Sequence, residues 1–212
     1  MTHDDLAALR ARVFGACNGP DIMDEKWKTA VFITPRNIIR QAWNHQAALR
    51  HHLQTGEQIF ISPAIDKDIP SQYIDRVIWE TDANTEMLAT WNILCINGPL
   101  VGTANLGVEL GIANGTRSIV KEVVPHPADD IGWHQAGEKP IVFLTRPPIC
   151  VWIEPTSSNI EPYFFTSIAD RRTWFPIFPL ETEVTIRKAK ITFKRAQIPL
   201  TPGNISILES SY

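Results

Sequence analysis

Two apolar runs flank Asn114-Gly115 within residues 97–124, NGPLVGTANLGVELGIANGTRSIVKEVV, and no other feature constrains the fold as tightly. Asn and Gly tolerate positive φ at both centres of a type I′ turn, whose twist matches that of two antiparallel strands. The segment therefore predicts a tight hairpin with Gly115 at positive φ. Short apolar runs at 100–106, 118–124, 141–145, 150–153 and 182–193 alternate with turn residues, and prolines 125, 127, 140, 147, 148 and 155 punctuate them. Strands at this spacing predict a small antiparallel barrel or sandwich.

The chain reads differently upstream. Asp4 and Asp5 open a helix in the first thirty residues, which Gly15 to Pro20 interrupt. Ala30-Val31-Phe32-Ile33 is wholly apolar, as in a strand covered on both faces. A helix follows over 36–54, its apolar stripe expected at Ile39, Trp43, Ala47 and Leu53, with Ala42 and Leu49 beside them. Gly56 ends it, and Gln58-Ile59-Phe60-Ile61 reads as the next strand. Strand, helix and strand at this spacing predict a βαβ unit. Residues 70–92 are polar and mixed, a connector with one short helix around 71–79.

Composition narrows the function classes. The 212 residues, 44% hydrophobic, suffice for one sizeable core or a core with a small lobe. A net charge of −3 leaves nucleic-acid binding to local patches. Cys17, Cys95 and Cys150 are odd in number and far apart, which points to a reducing, intracellular compartment rather than a disulfide framework. No secretory leader is visible, and no run reaches the roughly 18 apolar residues needed to span a bilayer, so no membrane partner is expected.

Three blocks then act together. Thr34-Pro35-Arg36-Asn37 is followed by Ala42-Trp43-Asn44. Asn105-Leu106, Gly111-Ile112 and Asn114-Gly115-Thr116-Arg117 form the second block, and Lys194-Arg195-Ala196-Gln197-Ile198-Pro199-Leu200-Thr201-Pro202 the third. Their order resembles the superfamily-one 5′→3′ DNA helicases of the PIF class, including those of fungal Helitron transposons. The resemblance implies an α/β fold, a partial second RecA-like domain of phosphate-loop NTPase type carrying an inserted small antiparallel β-barrel. It divides the chain into 1–27 (helix and linker), 28–66 with 193–212 (RecA-like part) and 90–190 (barrel). The first block would be helicase motif IV, and the third would lead into motif V. No G-x-x-x-x-G-K-[ST] occurs, so nothing here cradles nucleotide phosphates; the Lys-x-Gln-Gly-x-Thr signature and motif VI are absent as well. The stretch thus reads as helicase-derived, with no cofactor of its own, ATP and Mg belonging to a complete enzyme. Its expected partners are single-stranded DNA, bound weakly and without sequence preference, and a first RecA-like domain if one is encoded nearby. The setting implied for such a protein is nuclear.

No catalytic or metal-binding constellation is visible. Arg36, between strand and helix, is the candidate for a nucleotide phosphate. Asn37 and Asn44 are candidate backbone contacts, each equally suited to a helix cap or surface. Arg117, at the mouth of the predicted hairpin, is the preferred DNA contact. A strand expected over 186–195 would place Lys188, Lys190 and Lys194 on one face, with Arg187 and Arg195 nearby, as a strip for a phosphate backbone. The same pattern suits a soluble edge strand. Arg171 and Arg172 beside Trp174 and Phe175 suit base stacking, although such aromatics are commonly core. His45, His51 and His52 read as a solvated helix face rather than a zinc site. The competing function is a non-catalytic module whose β part docks a protein or peptide on an α/β scaffold.

Overall fold

The computed structural model describes residue 4 and residues 36–129, 132–136, 139–156, 173–187 and 189–203. The chain divides into two compact units, Met1–Phe32 and Ile33–Tyr212, and every element below lies in the second. The expected N-terminal helix, the strand at 30–33 and the Arg171-Arg172 cluster fall outside the described residues, as does Lys188.

Helix α1 spans Asn37–Thr55 and ends where expected: Gly56 is left-handed (φ 76°), and its N–H donates to the His52 carbonyl at 2.9 Å. Strands β1 (Ile59–Pro63) and β2 (Ile65–Lys67) follow. The connector holds a 3₁₀ turn and the short helix α2 (Ile74–Ile78), as the sequence indicated. Next come β3 (Trp91–Cys95), β4 (Pro99–Gly102), β5 (Arg117–Val124), β6 (Gly132–Ala136), β7 (Lys139–Phe143), β8 (Cys150–Pro155), β9 (Phe175–Ile177), β10 (Leu180–Ile186), β11 (Ile191–Gln197) and β12 (Leu200–Pro202).

These strands form three open sheets ordered β3-β1-β7-β6, β10-β11-β2 and β12-β4-β5-β8-β9. Among the described residues none closes on itself, so the expected barrel is not what forms. The expected partition of 28–66 from 90–190 is also not how the strands pair. β1 lies antiparallel to β3 and parallel to β7, both from the later segment, and β12 pairs with β4. The reason lies in β1 itself, which is apolar on both faces. Ile59 and Ile61 join Ala48 and Leu49 of α1, Ile93 and Cys95 in one cluster. Phe60 points the other way, joining Leu94, Val142, Leu100, Val120, Ile153 and Phe175 in the largest core. A strand needing cover on both sides becomes an interior strand with helix on one face and a second sheet on the other. Burying each such Leu, Ile or Phe side chain contributes about 1.5–3 kcal/mol. Phe175 is therefore core, not a stacking platform. A smaller core joins Val77 of α2 to Val184, Ile186, Ile191 and Phe193 of the β10–β11 pair.

Helix α1 departs from its apolar pattern. Its buried face is Arg40, Asn44, Ala48 and His52, while Ile39 and Trp43 each remain 39% exposed and Leu53 59%. Spacing of four puts all four buried residues on one stripe, and polar pairing makes the burial of two of them tolerable. Arg40 forms an ion pair with Asp82, both side chains being almost wholly buried. His52 donates from Nδ1 to the Glu57 carbonyl at 2.6 Å. The histidines are thus not a solvated face. Burial lowers the pKa of His45, with Asp82 opposing and Arg40 adding to the shift; burial likewise lowers that of His51, against Glu57.

Candidate nucleic-acid interface

The block around Asn114-Gly115 folds into a closed loop rather than a tight hairpin. β4 and β5 are antiparallel, with Val101 opposite Arg117, and the whole of 103–116 connects them. Thr116 N–H donates to the Ala113 carbonyl at 3.0 Å. Of the two central residues Asn114 and Gly115, Gly115 alone takes a positive φ (89°), so the turn has the pattern of type II rather than I′. Asn105, Gly111, Asn114 and Thr116 are nonetheless brought together. Asn105 Oδ1 accepts from Asn114 N–H at 2.9 Å. Thr116 Oγ1 accepts from Ala113 N–H at 2.9 Å and donates to the Gly111 carbonyl at 3.1 Å. Ile112 bridges to Gly107 and is buried in the main core. The spacing of Asn105, Gly111, Asn114 and Thr116 is that of a self-bonded loop. Arg117 stands exposed at its foot, where its carbonyl accepts from the N–H and Oγ1 of Thr156.

The basic strand expected over 186–195 is two strands. β10 and β11 pair from Leu180↔Gln197 to Ile186↔Ile191, and the chain reverses over 187–190, with Lys190 at φ 52°. A reversal there keeps Ile186 and Ile191 in the same small core, which a straight strand would not. Lys190 and Arg187 are consequently exposed at the tip. Lys194 lies on the outward face of β11 opposite Glu183, next to Lys67 on β2. Lys67 Nζ donates to Glu181 Oε2 at 2.6 Å. This hydrogen bond lowers the Glu181 pKa and raises that of Lys67. The outward face of the sheet therefore alternates in charge, and positive charge is concentrated at the tip.

Arg195 is no surface contact. It is fully buried on the Phe193 side of β11, directly across from Asp66. Its Nε and Nη2 each donate to the Asp66 carboxylate at 2.6 Å, and Nη1 reaches the Leu88 carbonyl at 3.2 Å and Thr90 Oγ1 at 3.1 Å. All three nitrogens are thus engaged, which removes Arg195 from the DNA candidates. Its place on the apolar side follows from alternation after Ile191 and Phe193.

Arg36 and Asn37 stand together at the start of α1, Arg36 exposed, its carbonyl accepting the Ile39 and Arg40 N–H groups at 3.1 Å. Asn44, two turns on, is wholly buried with both amide atoms unpaired among the described residues, so it does not reach a nucleic-acid backbone. No group of three or more His, Cys, Asp or Glu side chains that would hold a metal occurs among the described residues. Burial pushes the Cys95 thiol up to about 12, with Glu57 adding, and raises that of Cys150, with Glu122 adding; neither is a nucleophile at neutral pH. No helix among the described residues is long and apolar enough to cross a membrane, which says nothing of β-barrels.

No protein-family model and no curated protein matches the sequence. Solved structures do. The crystal structure of Pif1 helicase from Candida albicans matches over 96% of this chain and 40% of that one, at TM-score 0.53 and 12% identity. A structure of two coordinating Pif1 helicases on forked double-stranded DNA matches over 98% and 33%, at 0.47 and 12%. Bacteroides Pif1 bound to single-stranded DNA matches over 98% and 36%, at 0.44 and 12%. The first defines the fold as Pif1-helicase-like, and this chain spans less than half the length of each of these proteins.

Proposed function

We propose that this chain is a helicase-derived module, corresponding to part of the second RecA-like half of a Pif1-like DNA helicase, and that it binds single-stranded DNA weakly and without sequence preference. The observation that supports this reading is the fold match to the Candida albicans Pif1 structure, which covers 96% of this chain at TM-score 0.53. The three sequence blocks support it, because their residues and order resemble those of the same helicase class. The exposed cations that fit a phosphate backbone are Arg117 at the foot of the closed loop and Arg187 and Lys190 at the β10–β11 tip, with Lys194 behind them. In a complete enzyme of this kind, ATP and Mg sit on a first RecA-like domain, and Arg36 is the residue of this chain suited to meet the nucleotide. Closure of the two halves then moves the strand 5′→3′. Phosphoryl transfer needs a phosphate cradle, a metal and an arginine converging on one nucleotide, so the purified chain has no ATPase of its own.

Fluorescence anisotropy with labelled single-stranded oligonucleotides tests the reading. Binding at low salt, competed equally by unrelated sequences, is expected. Absence of binding, or capture of a peptide ligand in its place, would favour the protein-interaction module.

A further inference from the structure

Helix α1 presents its apolar stripe outward. With about 100° of rotation per residue, Gln46 lies diametrically opposite the buried Arg40, Asn44, Ala48 and His52. Around Gln46 stand Ile39, Ala42, Trp43, Arg50 and Leu53, every one exposed. Leu49, half-buried against the Ile59 and Ile93 cluster, borders them. Ile39, Gln46 and Leu53 recur at intervals of seven, as do Ala42 with Leu49 and Trp43 with Arg50. Recurrence at seven along an exposed face is the pattern of a helix that packs lengthwise on another helix, and one polar residue in such a seam fixes the register.

The pattern is also symmetric about Gln46. Ile39 and Leu53 lie seven residues to either side, Ala42 and Arg50 four, and Trp43 and Leu49 three. A second α1 laid antiparallel about a two-fold axis at Gln46 therefore sets Ile39 of each copy against Leu53 of the other. Ala42 meets Leu49, its small side chain allowing close approach. Trp43 and Arg50 both lean about 40–60° to the same side of Gln46, so each indole receives the other copy's guanidinium. The two Gln46 amides meet on the axis, where each can donate and accept. α1 contains no Asp or Glu and so offers no ion pair to a copy of itself; the cation–π contact takes that place. Parallel pairing would align the two helix dipoles and separate Arg50 from Trp43.

We propose that α1 is a self-association surface occupied by a second copy of this chain, antiparallel, with the two-fold axis at Gln46. One helix against one helix lies at the small end of specific interfaces, so the dimer is weak and forms only at high protein concentration. It needs no DNA and stands independently of the single-stranded DNA reading.

Sedimentation equilibrium of the full chain without DNA tests this. The average mass should rise with loading concentration from that of the monomer towards twice that value. Leu53→Lys should abolish the rise, while Val108→Lys, at an exposed apolar residue of the 103–116 loop, should leave it intact. Neither should move the urea midpoint, because both side chains are exposed and a cation suits the last turn of a helix. Orientation is read by a short bismaleimide. A mixture of Ile39→Cys and Leu53→Cys chains should yield a cross-linked dimer that wild type and either variant alone do not, since like positions lie on the order of 20 Å apart in the antiparallel pair. A mass that stays monomeric at every concentration overturns the proposal. So does a dimer that Leu53→Lys leaves intact or that Val108→Lys removes equally. Cross-linking of each variant with itself overturns the antiparallel register.

Discussion

Removing Asp66 should destabilise the fold far more than removing most other charged side chains. Arg195 has no exposure and Asp66 retains 16%. Two of the three guanidinium nitrogens depend on that one carboxylate, each at 2.6 Å. In Asp66→Ala the cation stays buried, facing only the Leu88 carbonyl, Thr90 Oγ1 and the Phe193 ring 5.5 Å away. An unpaired buried charge of this kind costs about 3–5 kcal/mol, a fifth or more of a typical domain's stability of roughly 5–15 kcal/mol. Arg195→Met should cost less, about 1–3 kcal/mol, because the partly exposed carboxylate recovers some water and the Leu88 carbonyl keeps the Thr85 Oγ1 donor at 2.7 Å. The double variant should be more stable than Asp66→Ala alone, since it removes the stranded charge. Urea unfolding of all four proteins measures this through the midpoint at constant slope. An Asp66→Ala cost below about 1 kcal/mol, or a double variant no better than Asp66→Ala, would refute the argument that this cross-strand pair is buried and mutually dependent.

Other perturbations follow from the same geometry. Gly115→Val should cost on the order of 1–2 kcal/mol in urea titration through backbone strain alone, since φ is 89° and nothing lies within 4 Å of an added Cβ. His45 titrates below its ordinary 6.5 because burial disfavours the imidazolium. The unfolded chain therefore binds the extra proton, and stability should be complete above about pH 6.5 and fall as pH drops below it; His45→Gln should flatten that slope, and an unchanged slope would contradict it. The purified chain should show no DNA-stimulated ATP hydrolysis in a coupled assay, whatever oligonucleotide is added.

What was legible in the sequence was mostly local. Gly56 as the stop of α1, the short helix in the connector and the strand at 117–124 all follow from one segment's own pattern. Pairing was less legible, because it depends on partners far along the chain. An apolar β1 announces cover on both faces without saying that β3 and β7 supply its neighbours. The reversal at 187–190 was hidden because Arg-Lys-Ala-Lys contains no glycine, proline or asparagine, and Lys190 itself takes the left-handed position. A second Asn-Gly, at Asn97-Gly98, makes the closer turn. Asn97 has φ 55°, Gly98 N–H donates to the Cys95 carbonyl at 2.9 Å, and a Cβ on Gly98 would meet that oxygen at 2.8 Å. On α1 the apolar stripe misled, since ion pairing of Arg40 with Asp82 lets a polar face be the buried one. Of the candidate site, Arg117, Lys190 and Lys194 are exposed as expected. Arg195 and Asn44 are not, and their burial depends on Asp66 and on the packing of α1, neither visible in a local pattern.

The salt dependence of single-stranded DNA binding tests the central claim most directly. Each phosphate contact contributes about −0.7 to the slope of log K against log salt on a single strand. Two or three contacts from the exposed cations Arg187, Lys190 and Lys194 should therefore give wild type a slope of roughly −1.4 to −2. Reversing the charge of Arg187, Lys190 and Lys194 together should weaken binding for every sequence and flatten that slope, with little effect on the urea midpoint, because all three side chains are exposed. A wild type that does not bind, or a variant that matches wild type in both affinity and slope, would contradict the account.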